Sequence, residues 1–269
     1  MNLESHLRRR RDAGAKLLVP YVTGGLGREW HEVVRAVVAA GADAVEVGIP
    51  FSDPIMDGRT IQEASQRALD LGATPVGVID TMATIDVDAP LVVMTYYNLV
   101  ARLGHERCAQ HLRQCGVDGA IVPDLPYDEL NGWGDAADAA GVETVLLAAP
   151  TTPDERLAAI CDRSHGFVYG VSLMGVTGER DQLAVQAGEM GRRCKAATDK
   201  PVLLGVGIST PAQAAQAAAS ADGVIVGSAL VRRLLDGGGP DEAAAFVRSL
   251  RVALDAERPQ PVRGSVDEA

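Results

Sequence analysis

The sequence predicts an α/β fold, a closed (β/α)8 barrel of the TIM type with an extra N-terminal helix. Three observations lead there. Apolar, β-branched runs alternate with Ala-rich segments of helical period, the pattern of parallel β-α units. The strand candidates number eight, which favours a closed barrel over an open doubly wound sheet, as does the lack of a G-x-G-x-x-G turn after the first strand. The chain has 269 residues, 47% of them hydrophobic, enough for one core of the usual barrel size. No Pro-, Gly- or Ser-rich linker divides it, so 1–269 is expected to form a single domain, with the polar stretch after 258 frayed.

The strand candidates are 16–23, 44–49, 91–96, 119–123, 143–148, 166–171, 201–206 and 223–226. Between them, helical periodicity marks 30–40, 60–71, 105–114, 130–140, 153–161 and 211–219. Gly41, Gly72, Gly116 and Gly141 follow helical runs, where a glycine can take the left-handed conformation that ends a helix.

Charge and cysteine content narrow the function classes. With 25 basic and 36 acidic residues the net charge is -11, the wrong sign for wrapping nucleic acid. A small anionic substrate is still allowed, because backbone dipoles can hold a phosphate locally. Cys108, Cys115, Cys161 and Cys194 form no Cys-x-x-Cys pair and no recognised zinc pattern, so no metal is expected. The N-terminal arginine run has no apolar stretch behind it, and a cytoplasmic protein is expected.

In a (β/α)8 barrel the chemistry lies at the C-terminal strand ends. The second strand carries an informative parity. Val45, Val47 and Ile49 share the face suited to the surrounding helices, whereas Ala44, Glu46 and Gly48 share the interior face. A carboxylate between two small residues has room for a ligand beside it, and burial would raise its pKa toward a useful range. The same pattern also fits a rim glutamate paired with a cation. The next loop, PFSDPIMDGRT, is longer than the usual connection of about two to six residues and holds Asp53 and Asp57. Each of these can be a ligand contact or a turn and capping residue.

Glycines mark the ends of the last three strands: Gly175 to Gly178, Gly205 to Gly207, and Gly227 before Ser228. Glycine permits close backbone approach to an anion, and barrels commonly hold phosphate on the loops after strands seven and eight with a short helix N-terminus. The polar stretch 173–186 reads as a lid. Tyr21, Tyr96 and Tyr169 fall near strand ends, where they suit either a flat ligand's slot or core packing.

The run EVGIPFSDPIMDGRTIQ, from Glu46 to Gln62, closely resembles the signature of the tryptophan synthase alpha-chain family. GVGIS, VGSALV, GVTG, MTYYNLV and PDLP extend the resemblance over nearly the whole chain. It implies cleavage of indole-3-glycerol phosphate to indole and glyceraldehyde 3-phosphate, a lyase reaction of tryptophan biosynthesis. Glu46 and Asp57 then fall on the catalytic carboxylates, and Asp53 on a partner contact. Tyr21, Tyr96, Ile121 and Tyr169 fall on the indole-propanol pocket, and Thr177, Gly178, Gly205, Gly207, Gly227 and Ser228 on the phosphate region. Met56, Arg59 and Tyr21 depart from the residues familiar at their positions. The resemblance further implies an α2β2 heterotetramer with a beta subunit that carries pyridoxal phosphate, no cofactor being expected on this chain. Two alternatives are another phosphate-binding barrel enzyme and a barrel acting mainly as an activator of its partner. A synthase-type barrel would want an early catalytic lysine, and Lys16 stands at the wrong end of its strand.

Overall fold

The structure, a computed structural model, describes residues 2–171, 180–205 and 207–256, with backbone only for 180–186. Helix α1 (Leu3–Asp12) precedes eight parallel strands. These are β1 (Leu17–Thr23), β2 (Val45–Gly48), β3 (Leu91–Met94), β4 (Val117–Ile121), β5 (Glu143–Ala148), β6 (Val168–Val171), β7 (Val202–Gly205) and β8 (Gly223–Val226). They pair in sequence order, and β1 pairs with β8 to close the barrel.

The outer ring holds α2 (Trp30–Ala39), α3 (Arg59–Asp70), α4 (Pro75–Met82), α5 (Tyr97–Leu103) and α6 (His105–Gln114). It continues with α7 (Asn131–Ala140), α8 (Asp154–Arg163), α9 (Arg180–Ala197), α10 (Pro211–Ala218), α11 (Ser228–Leu235) and α12 (Pro240–Ala256). Gly41, Gly72, Gly116 and Gly141 all have positive φ, as their helix-ending positions require. No helix among the described residues is long and apolar enough to cross a membrane.

Two expectations change. Residues 180–186, read as the end of a polar lid, form the first turns of α9. The run from Asp181 to Ala197 is rich in strong helix formers (Gln, Leu, Ala, Glu, Met, Arg), and this outweighs its polar start. β4 begins at Val117, two residues before the expected start at Gly119, because Asp118 is carried inside the strand. The rest of the expected lid, 172–179, lies outside the described residues, as does the tail 259–269.

Strand parity sorts the core into two layers. Val45, Val47 and Ile49 join the cluster between strands and helices. Ala44, Leu17, Val19, Val92, Ile121, Val145, Phe167, Leu203 and Ile225 fill the barrel interior. Leu3 and Leu7 of α1 belong to this inner cluster and are fully buried. Leu3 closes the end of the barrel at which the strands begin. A Cβ added at Gly119 or Gly166 would stand 2.7 or 2.6 Å from its Cδ2 atom, so both glycines are cut to fit that leucine. Beside this plug the buried Asp43 accepts from the Leu18 N–H at 2.8 Å, Arg10 Nε at 2.7 Å and Arg251 Nη1 at 3.1 Å. It thereby ties α1 and α12 to β1.

Leu3→Ala removes the plug without a neighbour able to refill it. A loss of about 2–5 kcal/mol of unfolding free energy is expected, read from urea denaturation with an unchanged m-value.

Candidate active site

The site grows from β2. Glu46 stands on the interior face, only 1% exposed, in register with Tyr21 of β1 and Val92 of β3. Gly48, the next interior position, has no room for a side chain, since an added Cβ would lie 1.8 Å from the Tyr21 hydroxyl. The phenol of Tyr21 therefore passes directly over Gly48 and caps the strand end. Gly205 of β7 does the same for Tyr169, whose ring would stand 2.4 Å from an added Cβ. Two glycine–tyrosine pairs thus shape the mouth of the barrel.

Asp57 enters from the loop before α3 and is half-buried. The Tyr96 hydroxyl donates to its carboxylate and accepts from the Met56 N–H at 3.1 Å. Phe51 stacks on Tyr96 with ring centroids 5.1 Å apart and 28° between planes. Gln62 Nε2 donates to the Asp57 carbonyl at 2.8 Å. The long loop is in this way folded back onto the end of β3, and its second aspartate is aimed inward.

The electrostatics follow from burial. Desolvation, then the nearby charge of Asp57, pushes Glu46 up to about 8. One of its oxygens, Oε2, is buried with no hydrogen-bond partner among the described residues. Desolvation raises Asp57 to about 6, opposed by the Tyr96 hydroxyl that favours its ionised form. Burial and the carboxylate charges of Asp57 and Glu46 raise the phenols of Tyr21 and Tyr169. All four groups therefore share one electrostatic enclosure. An acid that is neutral near pH 7, facing one that is charged, can donate a proton while its partner stabilises a developing cation.

The expected phosphate residues divide by geometry. Ser228 opens the short helix α11, and no side chain caps its first turn. The helix α10 after β7 is different. Thr210 and Gln213 form a capping box, and Gln213 also accepts from the Ser209 N–H at 2.8 Å. The N–H groups of Ser209, Thr210 and Gln213 are thus already engaged, and an anion would find more open donors at α11. Gly207 has φ +71 and is exposed with open space at its Cβ, which suits close approach of a ligand. Gly227 lies 3.5 Å from the Tyr21 Cβ by its own added Cβ, next to the tyrosine wall. Thr177 and Gly178 lie outside the described residues. Ile121 is fully buried in the inner layer, below the tyrosines. Asp53 is exposed on the rim, beside Ile55 at 77% and Met56 at 45% exposure.

Sequence reasoning missed the part of Phe51 and the second role of Tyr96. An aromatic immediately after Pro50 was the available signal, but the stacking partner comes from a different strand end.

The family model described as tryptophan synthase alpha chain matches residues 7–255. The alpha chain of Streptomyces coelicolor is 46% identical over 250 residues, covering 91% of this chain and 88% of that one. That of Picosynechococcus is 40% identical, covering 94% and 99%. Among solved structures, Mycobacterium tuberculosis tryptophan synthase in space group F222 superposes with a TM-score of 0.84 at 38% identity, covering 94% and 97%. The alpha subunit from Legionella pneumophila gives a TM-score of 0.84 at 32% identity, covering 95% and 99%.

A buried acid whose folded pKa is raised stabilises the fold only while protonated. For Glu46 that contribution is complete below 4.5 and is lost as pH climbs through about 8. Glu46→Gln should therefore gain stability relative to the parent across that interval, with the gain levelling off above it. Urea midpoints of both proteins across this pH range test this; a gap that stays constant with pH would mean an ordinary pKa.

Proposed function

The chain belongs to the tryptophan synthase alpha-chain family, a lyase of tryptophan biosynthesis that releases indole from indole-3-glycerol phosphate, and we propose that Glu46 and Asp57 carry that cleavage. The observation behind this assignment is the pair itself. A carboxyl buried in the barrel with one unpartnered oxygen, raised to about 8, shares its enclosure with a second acid raised to about 6.

The step is a retro-aldol cleavage. Protonated Glu46 delivers its proton to indole C3. The positive charge that develops on the ring is stabilised by Asp57, whose carboxylate accepts the indole N–H. Glu46, now a carboxylate, takes the proton of the side-chain hydroxyl. The hydroxyl oxygen closes to an aldehyde, the bond to C3 breaks, and its electron pair returns to the ring. Indole and glyceraldehyde 3-phosphate leave, and Glu46 is again protonated. General acid–base catalysis of this kind contributes about 10²–10⁴-fold. Tyr96 is a positioning residue, since it holds the Asp57 carboxylate and keeps it ionised.

The uncapped first turn of α11, with Ser228, Gly227 and the open Gly207, receives the phosphate, joined in the family pattern by Thr177, Gly178 and Gly205. Tyr21, Tyr96, Ile121 and Tyr169 wall the indole-propanol moiety. The family implies a beta-subunit partner. The finer reading is an α2β2 assembly in the cytoplasm, in which indole passes to a pyridoxal-phosphate site on the beta subunit. Asp53, flanked by exposed Ile55 and Met56, supports a contact on that side. This chain is then a single-domain enzyme with no cofactor of its own.

Glu46→Gln should lower indole release by at least about 10²-fold while phosphate-analogue binding persists; near-normal turnover would remove Glu46 from the mechanism. The parent should show a bell-shaped pH profile. Its acid limb falls as Asp57 protonates near 6, and its alkaline limb as Glu46 ionises near 8. Tyr96→Phe should move the acid limb to higher pH and leave the alkaline limb in place, because the lost hydroxyl favoured the ionised aspartate.

A further inference from the structure

Away from the barrel mouth, Asp80, His111 and Cys115 come together from two helices. Asp80 lies in the last turn of α4. His111 lies in the last turn of α6, and Cys115 is the residue that ends that helix. These helices return the chain to the N-terminal ends of β3 and β4, the face opposite the catalytic loops. Four residues apart, His111 and Cys115 share one face of α6. His111 Nε2 and Asp80 Oδ1 are 2.7 Å apart, and one ligand atom from each of the three residues lies within 4.8 Å of the others. This is the only such His/Cys/Asp/Glu group among the described residues.

We propose that Asp80, His111 and Cys115 form a binding site for a divalent transition-metal ion of the zinc class. The donor set is an imidazole nitrogen, a thiolate and a carboxylate oxygen, the combination that zinc accepts in a tetrahedral shell. Zinc–ligand distances of about 2.0–2.3 Å place atoms on a common ion about 3–4 Å apart, so the present spacing needs only small side-chain adjustments to hold one ion. Three protein ligands leave a fourth position for water.

One further feature favours a cation here. The carbonyls at the C-terminal end of α6 point their negative dipole at His111 and Cys115. Binding releases the thiol proton to solvent and replaces the Asp80–His111 contact with two metal bonds. The site would clamp α4 to α6 without touching the catalytic carboxylates.

Titration of the chelator-stripped full chain with Co2+ tests this. One equivalent should bind with a thiolate-to-cobalt charge-transfer band, Zn2+ should displace it, and Zn2+ should raise the Tm. Cys115→Ser should abolish the band, and Asp80→Asn should weaken binding at least about tenfold. Because the Asp80 side chain is exposed, D80N reports even where C115S fails to fold. Absence of the band in the parent, a band that survives C115S, or an affinity unchanged in D80N would overturn the proposal.

Discussion

In a closed barrel every second side chain of every strand is aimed at one axis, and that axis has room for few of them. Most of the interior is filled with Leu, Val, Ile and Phe. Where a strand brings an acid to the axis, no solvent relieves it. Glu46 meets that condition. Small neighbours, Ala44 and Gly48, keep apolar bulk away from it, and two tyrosines arch over glycines to shut the mouth. Its raised pKa is the thermodynamic record of that enclosure. The destabilisation caused by burying a charge is tolerated because the group stays neutral in the resting protein.

The second carboxylate is set by a different device. Asp57 depends on no strand; it hangs on Tyr96, on the stacking of Phe51 and on the Gln62 bond to its carbonyl. Glu46 is therefore placed by the barrel, whereas Asp57 is placed by a loop whose outer edge, Asp53 to Met56, faces solvent. The barrel holds Glu46 independently of that edge, whereas the place of Asp57 depends on the loop that carries it.

How much of this could be read from residues alone follows from the range of each constraint. The parity of β2 and the helix-ending glycines are local, and both hold in the structure. The helix start at Gly227 and Ser228 is expected from the sequence, whereas the occupied start of α10 is not legible, because it depends on Gln213 turning back to cap its own helix. The Tyr96–Asp57 bond joins residues on different β-α units, which no spacing reveals. The start of α9 reads as lid from sequence because its polar residues mask strong helix formers. The cluster of Asp80 with His111 and Cys115 was passed over for the same reason as the tyrosine bond: its third member comes from another helix.

The Leu3 plug bears on how the chain acquires its shape. Its seat is built from Gly119 and Gly166, so helix α1 has no complete seat until the chain is in place as far as the start of β6. Arg10 finds Asp43 close by in the chain, whereas Leu3 depends on two segments more than a hundred residues away. The floor of the barrel is thus fastened by contacts of long sequence separation, which close late when a chain folds.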